Sequence, residues 1–160
     1  MFSKMLRANP KSKSSTTDGN FVIVASKYNG QYVEAMVRAA KVELLSAKAK
    51  IRIIRVPGAF EIPVVAAKLA RISAKDLSAI ICLGVILRGA TTHAQHIAEA
   101  VSSALMQIQI AYEVPVIHEV LLLENDEQAK ARCLSKTHNR GTEAAQTAIE
   151  MTRVMKSLVE

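Results

Sequence analysis

The stretch Ala79–Leu87, AIICLGVIL, decides the fold class of this chain. This uncharged run is far shorter than the roughly 18 residues of a membrane span, and it suits a strand that is buried on both faces of a sheet. The polar stretch Arg88–His93, RGATTH, ends the run, and apolar residues then recur at helical spacing from about Thr92 to Tyr112. A buried strand followed by a turn and a long helix is typical of parallel α/β proteins.

Three further apolar runs repeat this pattern. They are Phe21–Ala25, Ile51–Val56 and Val114–Leu123. Turn signals end the first two, and Pro115 stands near the start of the last, where a missing N–H group is tolerated. Helical periodicity separates the strands over Tyr32–Leu45 and Ile62–Ile72.

Two helices are predicted after the last strand. Asn125 and Gln128 have the spacing of an N-cap residue and its N3 partner, the pattern that opens a helix. Gly141 is expected to separate this helix from a final one, which presents an apolar face to the core. The members of that face are Ala145, Ala148, Ile149, Met155 and Leu158.

This alternation of strands and helices predicts an α/β fold. We expect a three-layer sandwich, in which a four-stranded parallel sheet of flavodoxin-like order is covered by helices on both faces. With 160 residues, the chain is long enough for one domain with a proper core and too short for two. We assign residues 20–160 to this domain and residues 1–19 to a flexible N-terminal tail.

The composition disfavours two classes of partner. Half of the residues are apolar and no apolar run reaches the length of a membrane span. The formal charge of +7 is compatible with a nucleic acid, an anionic surface or an anionic small substrate. However, the chain has only three Phe, three Tyr and no Trp, and its basic residues are scattered, which disfavours a base-stacking surface. We therefore expect neither nucleic acid nor membrane as a partner.

The cysteines and the N-terminal segment bear on localisation. Cys82 and Cys133 form neither a metal-ligand spacing nor a disulfide framework, and a reducing compartment fits them best. The tail contains no apolar stretch of signal-peptide length. Its shortage of acidic residues resembles an organelle transit peptide, although a disordered bacterial tail is the commoner explanation. We expect a cytoplasmic protein.

The turn Arg88–His93 is the first candidate site, because ligands of parallel α/β proteins bind beyond the carboxyl ends of the strands. Gly89 and Ala90 allow a tight turn, and Thr91 or Thr92 can cap the next helix. The free N–H groups and the positive end of the helix dipole would then suit a phosphate. An ordinary strand-to-helix turn with a solvated arginine explains the same residues equally well.

His93 favours the interpretation of this turn as a functional site over that of an ordinary strand-to-helix turn. It stands in the first turn of the predicted helix, where the dipole favours a neutral imidazole. A neutral imidazole beside a phosphate can accept and return a proton at physiological pH. His96 and His118 have weaker cases, and no metal-ligand set forms around them, so we expect no metal.

Glu61 is a further candidate, within the block Val56–Pro63, VPGAFEIP. A carboxylate among apolar residues and two prolines is an odd choice for a solvated face. It could stabilise the start of a helix, or it could accept hydrogen bonds from the hydroxyl groups of a polyol or a sugar. The pattern favours a core position for Phe60, although its place in the block keeps it a candidate contact.

Two pairs of residues are open to either interpretation. Tyr28 and Asn29, at the end of the first strand, could stack on a flat ring and bind a polar group, but an exposed turn is nearly as well supported. Arg132 and Lys136 lie four residues apart on one face of a predicted helix. A solvated helix face explains this second pair equally well, and the spacing ties neither residue to a phosphate.

Taken together, these blocks resemble the lumazine synthase family, which carries out the penultimate step of riboflavin biosynthesis. The resemblance extends from about Phe21 to Leu158, and the sequences VPGAFEIP and RGATTH are specific for it. The blocks that carry it are Tyr28-Asn29, Val56–Pro63, Gly84–His93, Pro115, Glu124–Arg132 and Asn139–Ala145. The resemblance implies a transferase that uses neither a metal nor an organic cofactor. Its reaction would condense 5-amino-6-(D-ribitylamino)uracil with 3,4-dihydroxy-2-butanone 4-phosphate to 6,7-dimethyl-8-ribityllumazine, phosphate and water.

The resemblance also implies a role for each candidate residue by its position. His93 would be the catalytic proton carrier for imine formation, phosphate loss and ring closure. The phosphate would be bound by Gly89, Ala90, Thr91 and Thr92, and by Arg132 of an adjoining subunit, with Lys136 near it. Tyr28 would stack on the pyrimidine, and the backbone of Val85, Ile86 and Leu87 would hold the edge of that ring. Ala59, Phe60 and Glu61 would lie beside the ribityl chain, with Asn29 nearby.

The sequence departs from the family at two places. The aromatic residue and the aspartate that usually follow the catalytic histidine are Ala94 and Gln95 here. The usual phenylalanine after the start of the fourth strand is His118, and Glu119 replaces a small residue. An imidazole can still form a flat wall against a ring, but it adds a group that titrates. A non-catalytic shell protein that binds a flavin or a lumazine is therefore the alternative on the same scaffold.

The resemblance bears on assembly as well. The family's sites lie between neighbouring subunits of a pentamer, and in many members pentamers close into an icosahedral shell. We therefore expect a homo-oligomer of pentamers with small-molecule substrates, and riboflavin synthase is a candidate partner. A pentamer, a decamer and a closed shell are equally compatible with the sequence.

Overall fold

A parallel sheet organises residues 18–159, the part of the chain that the computed structural model describes. Its strands are β1 (Asn20–Ser26), β2 (Lys50–Val56), β3 (Ala79–Leu87) and β4 (Val116–Leu123). The helices are α1 (Gly30–Ser46), α2 (Ile62–Ser73), α3 (His93–Tyr112), α4 (Asp126–Cys133) and α5 (Arg140–Ser157). A short 3-10 turn, Ala59–Glu61, precedes α2. The strand order β2-β1-β3-β4, with every pairing parallel, confirms the predicted α/β fold of flavodoxin-like order.

Helices cover the sheet on both faces. One core joins the sheet to α1, α4 and α5, and it includes Ile81 and Leu83 of β3. The other core joins it to α2 and α3, and it includes Ile80 and Cys82. Because successive side chains of a strand point to opposite faces, a central strand covered on both sides must be apolar throughout. This explains the uninterrupted apolar run of β3, whose predicted central position is confirmed.

The edge strand β2 differs from the expected nearly continuous apolar strand. Lys50, Arg52 and Ile53 are exposed, and Val56 is its one fully buried residue. Charged residues on an edge strand discourage pairing with another sheet, so they are compatible with this position. The prediction of burial on both faces therefore holds for β3 and not for β2.

Helix α5 begins one residue before Gly141, so this glycine lies inside the helix and does not separate two helices as expected. The side chain of Asn139 caps the helix by accepting a hydrogen bond of 2.8 Å from the Gly141 N–H group. A Cβ atom on Gly141 would lie 2.0 Å from the carbonyl oxygen of Met36 in α1. Glycine is required at this position because the two helices cross there in close contact.

Helix α4 begins as predicted and ends earlier. The Asn125 side chain accepts a hydrogen bond of 2.9 Å from the Gln128 N–H group, which confirms the predicted N-cap. Tyr32 of α1 is buried and donates a hydrogen bond of 2.7 Å to the Asp126 carboxylate, which fixes the start of α4. The helix ends at Cys133, so Lys136 lies outside it and shares no helix face with Arg132. Their expected alignment on one face is therefore wrong.

Two further predictions from the sequence concern membrane insertion and the N-terminal tail. No helix among residues 18–159 is long and apolar enough to cross a membrane. Of the predicted flexible tail, residues 1–17 lie outside the described residues.

Candidate active site

A cleft of about 860 Å³ lies at the carboxyl ends of the strands. Three stretches line it, and each follows or ends a strand. The first holds Tyr28 and Asn29 after β1, and the second holds Gly58, Ala59, Phe60 and Glu61 after β2. The third holds Val85, Ile86 and Leu87 of β3 and then Gly89, Thr91 and His93. The carboxyl ends of parallel strands meet at one edge of a sheet, and this brings together residues that are far apart in sequence.

The edge of β3 is open within this cleft. Strand β1 pairs with β3 only as far as Leu83, so the β3 backbone beyond that residue has no partner strand on the β1 side. The Arg88 N–H group donates a hydrogen bond of 2.8 Å to Leu123 of β4. Since backbone groups of a strand alternate in direction, Val85 and Leu87 face the open edge, while Ile86 faces β4.

Asn29 occupies part of that open edge. Its side-chain amide donates a hydrogen bond of 2.7 Å to the carbonyl oxygen of Val85. Its backbone has φ 55, a left-handed conformation that asparagine tolerates better than most residues. The Val85 carbonyl, which the family resemblance assigned to the edge of a pyrimidine, is therefore already bonded within the protein. The Val85 N–H group and the Leu87 backbone groups remain at the open edge.

Tyr28 packs against Gly58 at the mouth of the cleft. A Cβ atom on Gly58 would lie 2.9 Å from the Tyr28 ring, so the absence of a side chain allows the ring to approach. The Tyr28 N–H group donates a hydrogen bond of 3.2 Å to the Pro57 carbonyl, which fixes the backbone below the ring. The ring is 70% exposed, and its free face is available to a flat ligand.

The Glu61 side chain closes a local turn and also lines the cleft. One carboxylate oxygen, Oε2, accepts a hydrogen bond of 2.9 Å from the Gly58 N–H group and so closes the turn before α2. The other oxygen, Oε1, has no hydrogen-bond partner among residues 18–159. Phe60 beside it is 60% exposed and lines the cleft, so the core position favoured by its sequence pattern is wrong.

The first turn of α3 reaches the cleft with its N–H groups. Thr92 makes no capping hydrogen bond with its side chain, whereas Thr91 Oγ1 accepts a long one, of 3.4 Å, from the His93 N–H group. The Arg88 guanidinium turns away to an ion pair of 2.9 Å with Glu124. His93 is exposed and lines the cleft. A small anion in this turn would meet the helix N-terminus with a histidine beside it.

Residues of α3 that sequence reasoning missed or ranked low complete the cleft wall. Ala94, His96, Ile97 and Ala100 line it together with His93. Positions 93, 96, 97 and 100 follow the i, i+3, i+4, i+7 spacing of one helix face. That spacing was readable in the sequence once His93 had been placed in the first turn.

Five candidate residues do not line this cleft. Ala90 and Thr92 belong to the same turn as Gly89 and Thr91, and His118, Arg132 and Lys136 lie elsewhere in the chain. The last three are all exposed. They are available to a neighbouring molecule and not to the cleft of their own chain.

His118 is held by two hydrogen bonds. Its Nδ1 accepts one of 3.1 Å from the Val120 N–H group, and its Nε2 lies 2.7 Å from Ser102 Oγ on α3. Because Nδ1 is an acceptor, the neutral ring carries its proton on Nε2 and donates it to the serine. Ser102 is therefore not activated as a nucleophile. The His118 ring is partly shielded from solvent although the residue as a whole is exposed. This partial burial lowers its pKa below the ordinary 6.5, which also favours the neutral ring.

A buried ion pair between β4 and α5 also escaped sequence reasoning. Both oxygens of the Glu119 carboxylate bind the Arg140 guanidinium, at 2.9 and 3.0 Å, and Arg140 binds Glu143 as well, at 2.6 Å. Glu119 is 7% exposed. The signal was available: alternation along β4 places Glu119 on the same face as the core residue Ile117, and a carboxylate there needs a cationic partner.

The described residues show no metal site. Residues 18–159 contain no group of three or more His, Cys, Asp or Glu side chains that could hold a metal ion. Cys82 and Cys133 are buried, and burial raises the pKa of their thiols to about 12 and about 11. The cleft offers the imidazoles of His93 and His96, the Glu61 carboxylate, backbone groups and the aromatic rings of Tyr28 and Phe60.

A parallel sheet with a cleft at its carboxyl edge is the arrangement of the α/β class of enzymes. The family model of 6,7-dimethyl-8-ribityllumazine synthase matches residues 18–156. The chain belongs to this family. A 6,7-dimethyl-8-ribityllumazine synthase of Stenotrophomonas maltophilia is 40% identical over 141 residues, which cover 86% of this chain and 90% of the relative. A protein of the same name from Xanthomonas campestris pv. campestris is 37% identical over 145 residues, covering 89% and 93%.

Proposed function

We propose that this chain is a 6,7-dimethyl-8-ribityllumazine synthase of riboflavin biosynthesis. It would condense 5-amino-6-(D-ribitylamino)uracil with 3,4-dihydroxy-2-butanone 4-phosphate and release phosphate and water. One observation carries the proposal beyond family membership: His93 stands at the N-terminus of α3 and lines the same cleft as Tyr28 and Glu61. A proton carrier, an anion site and a ring site are the three things that this reaction needs.

The phosphate of the four-carbon substrate would bind at the start of α3. Gly89 and Thr91 line the cleft there, and the Thr92 side chain does not cap the helix N-terminus. The helix dipole and the first-turn N–H groups would stabilise the negative charge. Ala90 and Thr92 would contribute through the backbone of the same turn.

His93 would move the protons of the reaction. The 5-amino group attacks the ketone carbon, and water leaves as the imine forms. The imidazole would then take a proton from the carbon next to the imine while the phosphate leaves. It would return the proton to the terminal carbon of the enol that phosphate loss leaves, which gives a methyl ketone. The ribityl-bearing nitrogen then attacks this ketone carbon and closes the second ring with loss of a second water. A neutral imidazole beside the departing phosphate is suited to each of these transfers.

The pyrimidine and its ribityl chain would fill the remainder of the cleft. The exposed face of Tyr28 would stack on the ring, and the Leu87 backbone would meet its polar edge. The free Glu61 oxygen would accept hydrogen bonds from ribityl hydroxyl groups, with Ala59 and Phe60 along the chain. In this proposal, Asn29 and Val85 shape the ring site through their mutual hydrogen bond and do not bind the ring with those groups.

A neighbouring copy of the chain would complete the site. Arg132, Lys136 and His118 are exposed and lie outside the cleft of their own chain, so they would serve the cleft of the next subunit in a pentamer. Arg132 and Lys136 would bind the phosphate, and His118 would form a wall against the pyrimidine. Assembly of pentamers into a shell, a cytoplasmic location and association with riboflavin synthase belong to the same proposal.

Mixing the two substrates with the purified protein tests the function directly. We expect lumazine fluorescence to appear with stoichiometric release of inorganic phosphate. Binding of a lumazine or a flavin without any product would contradict the proposal and would favour a non-catalytic shell protein. Light scattering of the same sample would separate a pentamer, a decamer and a closed shell.

A further inference from the structure

The Glu119 carboxylate is enclosed and fully occupied by one partner. Nε and Nη2 of Arg140 bind its two oxygens in a side-by-side arrangement, at 3.0 and 2.9 Å. The third nitrogen, Nη1, binds Glu143 one turn further along α5. This second carboxylate holds the guanidinium in place, so that the pair with Glu119 forms in one geometry.

A second arginine lies close to this carboxylate. Arg132 is next to Cys133, whose backbone carbonyl accepts a hydrogen bond from the side-chain amide of Asn139, the residue that precedes Arg140. Burial raises the pKa of Glu119, and the positive charges of Arg140 and, more weakly, Arg132 oppose that rise. Both arginines therefore act on one carboxylate, but only Arg140 is bonded to it. Arg132 has no ion-pair partner among residues 18–159.

We propose that Arg140 is a positioning residue, which occupies Glu119 and thereby keeps the Arg132 guanidinium free for a phosphate. A buried carboxylate that loses its partner is strongly unfavourable, and a second cation within reach would relieve that cost. Without Arg140, that cation is Arg132, which would turn from its exposed position towards β4. The proposal depends on the phosphate role of Arg132 given under the proposed function.

The test is a double-variant comparison in the full-length assembled protein. We expect R140M to raise the KM for the four-carbon phosphate substrate by about tenfold, because the phosphate loses a charge-assisted bond, while kcat changes little. The variant E119Q/R140M removes the competing carboxylate and should return the KM to within about threefold of the wild type. A merely structural role for Arg140 would leave the double variant as impaired as R140M, and that result would overturn the proposal.

A second variant keeps the test decisive if R140M does not fold. R140K retains the charge but cannot bind both carboxylate oxygens in one plane, so we expect a smaller rise in KM, of about threefold, which E119Q reverses. An unchanged KM in R140K that is also unaffected by E119Q would count against the proposal.

A structural measurement separates this inference from the proposed function. In a crystal structure of R140M or R140K with inorganic phosphate, we expect the Glu119 carboxylate within about 3 Å of an Arg132 nitrogen. A Glu119 that stays apart from Arg132 would refute the exchange of partners. Absence of lumazine product from the wild-type protein would instead refute the proposed function. The crystal structure of the variant would still decide whether Glu119 exchanges Arg140 for Arg132.

Discussion

The side-chain amide of Asn29 donates a 2.7 Å hydrogen bond to the backbone carbonyl of Val85, a residue 56 positions away. The bond joins the loop after β1 to the open edge of β3, and it holds Tyr28 at the mouth of the cleft. It also determines which atom of the Asn29 amide faces Val85: this is the nitrogen, because a carbonyl oxygen can only accept. This contact between two strand ends therefore contributes to the shape of the proposed ring site.

Replacing Asn29 by Asp should weaken both the fold and the ring site. The substitution removes the donor and places a carboxylate against a carbonyl oxygen, which should lower the free energy of unfolding by about 1–3 kcal/mol. We also expect a higher KM for the ribitylaminouracil, because the adjacent Tyr28 loses its fixed position. Chemical denaturation and steady-state kinetics would measure these effects. Gln31→Glu adds the same charge at an exposed position and should leave both unchanged.

Replacing His93 by Ala should lower kcat about a hundredfold or more while leaving assembly intact. The imidazole is exposed in the cleft and contributes no buried contact to the core. Turnover and light scattering of the variant would be compared with those of His138→Ala, whose histidine is exposed and lies outside the cleft. Turnover of the His93 variant equal to that of this control would exclude the proposed role.

Replacing Arg132 by Ala should raise the KM for the phosphosubstrate and leave the KM for the ribitylaminouracil unchanged. The effect should reach about tenfold, the usual consequence of losing a charge-assisted hydrogen bond to a phosphate. Lys130→Ala, an exposed cation two residues away on α4, is the matched control. Equal KM values for the two variants would count against the phosphate assignment.

Replacing His118 by Phe should remove a dependence on pH. The folded pKa of His118 is lowered below 6.5, so its neutral form stabilises the fold above that pH, and this contribution is lost as pH falls from 6.5 towards the lowered pKa. The wild-type protein should therefore lose stability relative to the Phe variant over this window. Denaturant unfolding at pH 8 and at pH 5.5 would measure the difference. A constant difference between the two proteins at both pH values would contradict the prediction.

Replacing Gly141 by Ala should destabilise the protein by about 3 kcal/mol or more. The added Cβ atom would lie 2.0 Å from the Met36 carbonyl oxygen, which cannot yield without parting α1 from α5. Gly30→Ala is the control, because a Cβ atom there meets nothing within 4 Å. Thermal unfolding of the two variants would show a large loss for the first and little change for the second. Similar transition temperatures would mean that the helices can separate at little cost.

Local patterns account for what the sequence determined. The apolar run of β3 and the cap of α4 by Asn125 were predicted and are confirmed, and α3 begins at His93, one residue after the predicted start near Thr92. Each depends on residues within a few positions of one another, so that periodicity and capping chemistry suffice. The rule that ligands bind at the carboxyl ends of parallel strands then placed Tyr28, Glu61 and His93 at one edge, and all three line one cleft.

Tertiary structure alone decided how these groups are paired. The bond from Asn29 to Val85 exists because β1 ends before β3, and the pair of Glu119 and Arg140 exists because β4 and α5 pack together. Phe60 is exposed although its pattern favours the core, because the turn Ala59–Glu61 directs it into the cleft. A polar group forms a hydrogen bond with whichever complementary group the packing of the chain brings within about 3 Å. That choice depends on contacts between distant segments, which no local periodicity records.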